Sequence, residues 1–342
     1  MIVRLTPVER ILHRFHRLPV PIMDAFGGVL FGRALSLAVR RGVFETLAHG
    51  PRTIPEVAQA TRLNERALEI LLPSLAATGY LAEDGIRYRL SPGSRRWLLK
   101  SSPAYLGNLI LYFETLYERW GHLEYSLEHG QPPRRYFESF SNDDWGVYVD
   151  AMSDLARLLL PHVMKRISLP PSPASLLDLG GSHGLYTLQL CRDYPALRAT
   201  IIDFPGALQH THRFVRRDGM EDRVTLLPGD FSQIPLPGPQ DAVLMFNIIH
   251  GFSREECRLI IGRALESLVP GGKIYVLDQL REEKRARGIA HLMPLLVGLN
   301  LLNEIGGSTY SPGDVQEWCS GARTIRTLRL PLPGISLIEV VR

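Results

Sequence analysis

An α/β fold is predicted for most of this 342-residue chain: a doubly wound, largely parallel sheet whose last hairpin adds an antiparallel strand, behind a mainly helical N-terminal domain. Three observations predict it. From residue 174 onward, β-rich apolar runs alternate with helical patterns, as a parallel sheet with crossover helices requires. The first of these runs ends in Asp178-Leu-Gly-Gly-Ser-His-Gly184 just before a helical pattern opens at Leu185, which reads as a strand–turn–helix junction. The first hundred residues read differently, as helix, helix and hairpin.

Residues 20–48 carry Leu30, Ala34, Leu37, Ala38, Val43 and Leu47 on one apolar helical face. Thr53-Ile-Pro-Glu-Val-Ala-Gln-Ala-Thr61 is a short capped helix with proline near its start. Arg62 to Thr78 is a second helix, with Leu63, Ala67, Leu71 and Leu75 at helical spacing. Gly79-Tyr80-Leu81 and Tyr88-Arg89-Leu90 flank an Asp84-Gly85 turn and read as a hairpin. That order is a winged helix over residues 1–102. Such a module can read DNA through its second helix. Here that helix mixes Arg62 and Arg66 with Glu65 and Glu69, which is not the basic footprint a groove reader needs. The apolar surplus at Phe26, Leu30, Phe31 and Phe44 fits a surface covered by a partner.

Residues 103–165 are helical and rich in aromatics, including Tyr112, Tyr117, Trp120, Trp145 and Tyr148, a pattern more typical of a core than of a pocket. Ser168-Leu-Pro-Pro-Ser-Pro173 is a hinge into the sheet. Strands follow over 176–178, up to Asp203, at Val224–Leu227, at Ala242–Phe246 and at Ile274–Leu277. The charge run Arg281–Arg287 reads as a solvated helix start, the helix runs through Leu302, and two strands near 327–332 and 336–341 close the chain.

The strand ends carry the chemistry. Gly180, Gly181 and Gly184 permit a tight turn and let a ligand meet bare backbone at a helix N-terminus. Leu179 stands where a dinucleotide fingerprint has its first glycine, and Asp178 would repel a pyrophosphate, so a cationic ligand suits the turn better. Asp203 ends the second strand, where an acid commonly accepts from a ribose diol. Gly229-Asp230-Phe231 offers a carboxylate and an aromatic face to an adenine, and the fourth strand delivers Asn247 and His250 to the same edge.

With Asp203-Phe204-Pro205 and Pro270-Gly271-Gly272-Lys273 added, these pieces run in order from Leu176 to Gln279. That segment resembles the class I S-adenosylmethionine-dependent small-molecule O-methyltransferases, typified by the caffeate and acetylserotonin enzymes. The resemblance implies a Rossmann-like methyltransferase domain over 103–342, with 103–170 as helical acceptor-site wall and linker, and a homodimer formed through residues 1–102. It implies S-adenosylmethionine held by Asp178, Gly180, Gly181, Gly184, Asp203, Phe204, Gly229, Asp230, Phe231 and Asn247. His250 is implied as general base, steadied by Glu283 or its neighbour Glu282. The second acid that often steadies this histidine would fall near Thr309, where none is present, and Gly251-Phe252 replaces the usual Asp-Trp. Ser182 likewise stands where a glycine is common. A hydrophobic, aromatic or polyketide-like acceptor would meet Trp145, Met152, Met293, Asn300 and Asn303, with Met245 as a further apolar candidate, and Met152 matches a methionine lining that wall.

Composition bounds the rest. A net charge of +4 and 22% charged residues fit a globular enzyme better than a nucleic-acid binder. Cys191, Cys257 and Cys319 lack metal or disulfide spacing and read as reduced structural thiols of a cytoplasmic protein. No metal site, nucleic acid or membrane partner is expected. His210 and His212 point apart on a helix, and His183 serves as a cap or touches the cofactor. The start lacks a signal-peptide layout, and the apolar stretch Leu292–Leu302 is too short to span a bilayer. The alternatives are transfer to carbon, nitrogen or sulfur on the same scaffold, and a DNA-binding regulator that senses the cofactor.

Overall fold

The computed structural model describes residues 6–281, 288–331 and 334–342. It divides into two units, Met1–Leu116 and Tyr117–Arg342.

In the first unit, α1 (Pro7–Arg14) and α2 (Val20–Arg40) are followed by α3 (Val43–Thr46), set off by Gly42 at φ +68°. The single helix expected over 20–48 therefore breaks at that glycine, the cheapest place for a left-handed residue. β1 (Arg52–Thr53) precedes α4 (Ile54–Thr61), which Thr53 and Glu56 cap reciprocally. Arg62 takes a left-handed conformation at the end of α4, so α5 begins only at Glu65 and runs to Ala77. The hairpin of β2 (Leu81–Asp84) and β3 (Arg87–Leu90) completes a three-stranded sheet in the order β1-β3-β2. α6 (Pro92–Trp97) and α7 (Gly107–Tyr112) follow.

The unit continues past the 102/103 boundary read from the sequence. α7 packs on α2, and Glu114 is buried and paired with Arg33 and Arg40 of that helix. Phe44 lies in the core with Leu47, Leu68 and Leu72, so it leaves the set assigned to a partner surface. Phe26 and Leu30 remain exposed on α2, at 69% and 48%. Among the described residues α2 is the one helix long and apolar enough to cross a membrane, and few of its residues are buried.

The second unit opens with α8 (Leu116–Arg119), α9 (Leu123–His129) and the long α10 (Asn142–Met164), capped by Ser141 and Asp144. Strands and helices then alternate: β4 (Ser175–Leu179), α11 (Leu185–Asp193), β5 (Arg198–Asp203), α12 (Pro205–Arg217), β6 (Val224–Pro228) and β7 (Gln240–Phe246). α13 (Arg254–Glu266), β8 (Leu268–Asp278), α14 (Ile289–Ile305), α15 (Pro312–Trp318), β9 (Thr324–Arg329) and β10 (Ser336–Val341) follow.

The sheet order is β6-β5-β4-β7-β8-β10-β9. β4 to β8 pair in parallel and β10 lies antiparallel to β8 and β9, so one strand of the last hairpin runs against the sheet, as the sequence predicts. The reversal of order between β4 and β7 is where ligands bind in such sheets. Both faces are covered. Val149, Leu188 and Phe214 from α10, α11 and α12 pack on one side, and Ile260, Val315 and Trp318 from α13 and α15 on the other. Burial pushes the thiol of Cys191 up to about 11 and those of Cys257 and Cys319 to about 12, which makes them inert packing groups.

Candidate active site

The turn after β4 is shaped by contacts that only glycine allows. Gly180 has φ +65°, and a Cβ on Gly181 would lie 2.5 Å from Asp178 Oδ2. The next backbone N–H, of Ser182, donates to Asp203 Oδ2 at 2.8 Å, and Phe204 N donates to Asp203 Oδ1 at 2.7 Å. The ends of β4 and β5 are thereby tied together. Gly229 acts behind this edge: its N–H donates to the Asp203 carbonyl at 3.0 Å, and it does not line the cavity. Gly184 begins α11 and likewise lies behind the lining.

A cavity opens above the switch between β4 and β7. Asp203, Phe204, Asp230 and Phe231 line it, as do His250, Gly251, Leu301 and Ile305. Asp178, Gly180, Gly181, Tyr186 and Asn247 lie between, and Met152 of α10 contributes to the wall. Asp230 is fixed by Ser232, whose N–H and hydroxyl both donate to Oδ1. Asn247 adopts φ +55°, a strained value for a side chain other than glycine. Two buried hydroxyls at this cavity, Ser182 Oγ and Tyr186 Oη, have no hydrogen-bond partner among the described residues.

Charge is held at this edge against the cost of burial. Desolvation pushes the Asp178 carboxyl up to about 7, although Thr187 Oγ1 donates to it at 2.6 Å. Burial likewise raises Asp203 to about 6, opposed by its two backbone donors. A cation placed beside these groups would restore their ionised forms. His183 goes the other way: burial lowers it to about 3, and its Nδ1 accepts from Leu185 N at 3.0 Å. It is a neutral ring that caps the start of α11.

His250 follows β7 in a short 3₁₀ turn, where its Nδ1 lies 2.6 Å from Asp278 Oδ1. Asp278 is fully buried at the end of the neighbouring strand β8, and its Oδ1 also accepts from Gln279 N at 2.7 Å. The pair is one carboxylate and one imidazole at the floor of an apolar chamber. With Nδ1–H donated to Asp278, Nε2 presents a lone pair that can accept a proton. Among the described residues Asp278 is the carboxylate bonded to this imidazole. Glu283 and Glu282, expected from the sequence beside this histidine, lie outside the described residues. The missed signal was the sheet order: β7 and β8 are neighbours, so their terminal residues, Phe246 to His250 and Asp278, converge. Thr309 is buried and donates to the Pro294 carbonyl.

Several expected acceptor contacts lie elsewhere. Asn300 accepts from Trp120 Nε1 at 2.8 Å and donates to Glu304, which in turn pairs with Arg119. Asn303 accepts from Ser126 and donates to the Arg119 carbonyl, both at 2.9 Å. The two amides brace α14 against the 119–126 segment, and neither lines the cavity. Met293 is 45% exposed and also outside it. Met245 is fully buried in the core beneath the sheet and does not line the cavity either. Trp145 does line the cavity, but at the Phe204 end: it stacks on Phe137 with centroids 5.5 Å apart and touches Phe204 at 6.1 Å. It thus packs beside Phe204, the residue that follows Asp203. His210 donates from Nε2 to the Asn142 carbonyl at 2.9 Å, at the start of α10.

Against known proteins, residues 114–322 match the O-methyltransferase domain family and residues 23–101 the O-methyltransferase dimerisation domain. A tetracenomycin polyketide synthesis 8-O-methyltransferase of Streptomyces glaucescens is 29% identical over 317 residues, covering 91% of this chain and 92% of its own. An N,N-dimethyltransferase of Streptomyces rimosus is 28% identical, over 73% of this chain and 75% of its own. The crystal structure of human N-acetylserotonin methyltransferase with S-adenosylmethionine superposes with a TM-score of 0.82 at 23% identity, over 99% and 98% of the two chains.

Proposed function

The chain belongs to the O-methyltransferase family, and from that premise we propose that it moves a methyl group from S-adenosylmethionine to a hydroxyl of a flat hydrophobic acceptor, with His250 removing the acceptor proton. When bound, S-adenosylmethionine supplies an electrophilic methyl group on a sulfonium. The residues present fit that ligand. Two elevated carboxylates, Asp178 and Asp203, suit a cation and a diol, the Gly180–Gly181 turn leaves no room for side chains, and two buried hydroxyls await partners.

The observation that carries this reading is the His250–Asp278 pair opening onto an apolar chamber walled by Met152, Phe252, Leu301 and Ile305. The pair supplies a base, the walls exclude water, and the few polar contacts leave orientation to shape. An aromatic or polyketide-like phenol suits both features, and the tetracenomycin-pathway relative supports that acceptor class. A screen of phenolic, polyketide and aliphatic acceptors with labelled methyl donor tests it. Methylation confined to charged, non-aromatic acceptors would overturn it. The N,N-dimethyltransferase relative favours a second reading, transfer to nitrogen, which product mass and regiochemistry distinguish.

Asp203 holds the ribose hydroxyls in this reading, with Asp230 and Phe231 at the adenine. Loss of a hydrogen bond to a charged group costs about 1.5–3 kcal/mol, and calorimetry on Asp203→Ala is expected to register that loss for S-adenosylhomocysteine. Wild-type affinity would refute the assignment. A titration with S-adenosylmethionine itself has a pH signature. Asp178 and Asp203 sit near 7 and 6, so both are ionised at pH 8 and take up protons as pH falls through those values. Affinity for the cationic ligand is expected to weaken toward pH 5.5.

The dimerisation-domain match and the bare apolar residues of α2 support a homodimer that covers Phe26 and Leu30. Light scattering at micromolar concentration is expected to give twice the 38.4 kDa chain mass. A clean monomer would refute it.

A further inference from the structure

Tyr186 lies in the first turn of α11 with its ring edge-on to Phe246, centroids 4.8 Å apart. The residue is 4% exposed, lines the cavity, and its hydroxyl has no hydrogen-bond partner. A buried phenol without a partner destabilises the fold, because its lost hydration is not replaced. Packing does not require the oxygen: the ring alone satisfies the contact with Phe246. The hydroxyl is thus a group whose partner must arrive from the cavity.

The sheet order says which partner. The ribose and adenine carboxylates, Asp203 and Asp230, follow β5 and β6 on one side of β4. Tyr186 faces the last residue of β7, on the other side. A cofactor held by its nucleoside at β5 and β6 extends its amino-acid end toward β4 and β7. That end carries an ammonium, which has only donors, and a carboxylate, which has only acceptors. Asp178 suits the ammonium. Burial and the nearby Asp178 charge keep the Tyr186 phenol well above its ordinary range, so it remains protonated and can donate.

We propose that the Tyr186 hydroxyl donates a hydrogen bond to the carboxylate of the cofactor's amino-acid end, and so sets the cofactor's position along the cavity. This rests on the cofactor placement proposed above. It divides the amino-acid end between two neighbours on one turn, Asp178 for the positive group and Tyr186 for the negative one. Arg135, an exposed guanidinium on the cavity rim, is the rival donor.

The test is calorimetry on the full chain with two ligands. S-adenosylhomocysteine has the carboxylate, and 5′-methylthioadenosine lacks the whole amino-acid end. Tyr186→Phe is expected to weaken S-adenosylhomocysteine by roughly ten- to a hundredfold and to leave methylthioadenosine unchanged. Decarboxylated S-adenosylmethionine, which keeps the ammonium, is expected to bind the variant as well as it binds wild type. The ligand-free variant should melt no lower than wild type, since it loses an unpartnered hydroxyl; a structural hydroxyl would lower Tm. Equal affinities for all three ligands in Tyr186→Phe, or a selective loss in Arg135→Ala instead, would overturn the proposal. Should Asp203→Ala still lose affinity in that case, the cofactor placement stands and the Tyr186 role alone fails. Full affinity in both variants would overturn the placement as well.

Discussion

His250→Ala is expected to slow methyl transfer by roughly 10²–10⁴-fold while leaving S-adenosylhomocysteine affinity nearly unchanged. The separation follows from the geometry. The imidazole is bonded to Asp278 at 2.6 Å, whereas the carboxylates assigned to the cofactor, Asp178, Asp203 and Asp230, are held by other partners. Removing the ring therefore takes away a base without touching those groups. Its backbone stays anchored, because the His250 carbonyl accepts from Ser308 N at 2.9 Å through the main chain. Single-turnover rates across pH 6–9 read the step directly. A strongly acidic phenol would need less help than an aliphatic alcohol, so the deficit should grow with acceptor pKa. An unchanged rate on the preferred acceptor would mean that proximity alone suffices, or that the accepting atom is not a hydroxyl oxygen.

The sheet was legible because its signals are local. An apolar run, a glycine turn and a helix start identify the β4–α11 junction from adjacent residues, and Asp203 closes β5 while Asp230 follows β6 by two residues. The place of His250 at this sheet edge was legible for the same reason, since it follows β7 within four residues. What was not legible depends on residues brought together from afar. Asp278 reads as the last residue of a buried strand, and nothing nearby marks it as the partner of an imidazole 28 positions earlier. Asn300 and Asn303 interrupt an apolar helix, which in sequence suits a ligand equally well. Their partners Trp120, Ser126 and Arg119 lie some 180 residues away. Trp145 was legible as a large buried aromatic, but its end of the cavity was set by α10 packing on α12, where Phe204 begins the helix. Phe44 shows the limit for surfaces. A composition surplus cannot say which apolar side chains one unit keeps for its own core.

Asp278→Asn is expected to lower the rate by on the order of 10²–10³, with little change in fold or cofactor affinity. The carboxylate does two things that a neutral amide cannot do together. Its Oδ1 accepts from His250 Nδ1 and Gln279 N, while Oδ2 faces the His250 backbone N–H at 3.4 Å. All its neighbours are donors. An asparagine must turn its NH₂ toward one of them, either opposing a backbone N–H or forcing the imidazole into the tautomer with its proton on Nε2. The second outcome blocks the base, and the first loses the charge that stabilises the imidazolium formed on proton transfer. Asp278 acts through the histidine as a positioning residue, so its effect must vanish when the histidine is gone. The double variant Asp278→Asn/His250→Ala should therefore be no slower than His250→Ala alone, a fully non-additive cycle. A purely structural Asp278 predicts the opposite pattern: a lowered Tm, weakened S-adenosylhomocysteine binding, and losses that add to those of His250→Ala.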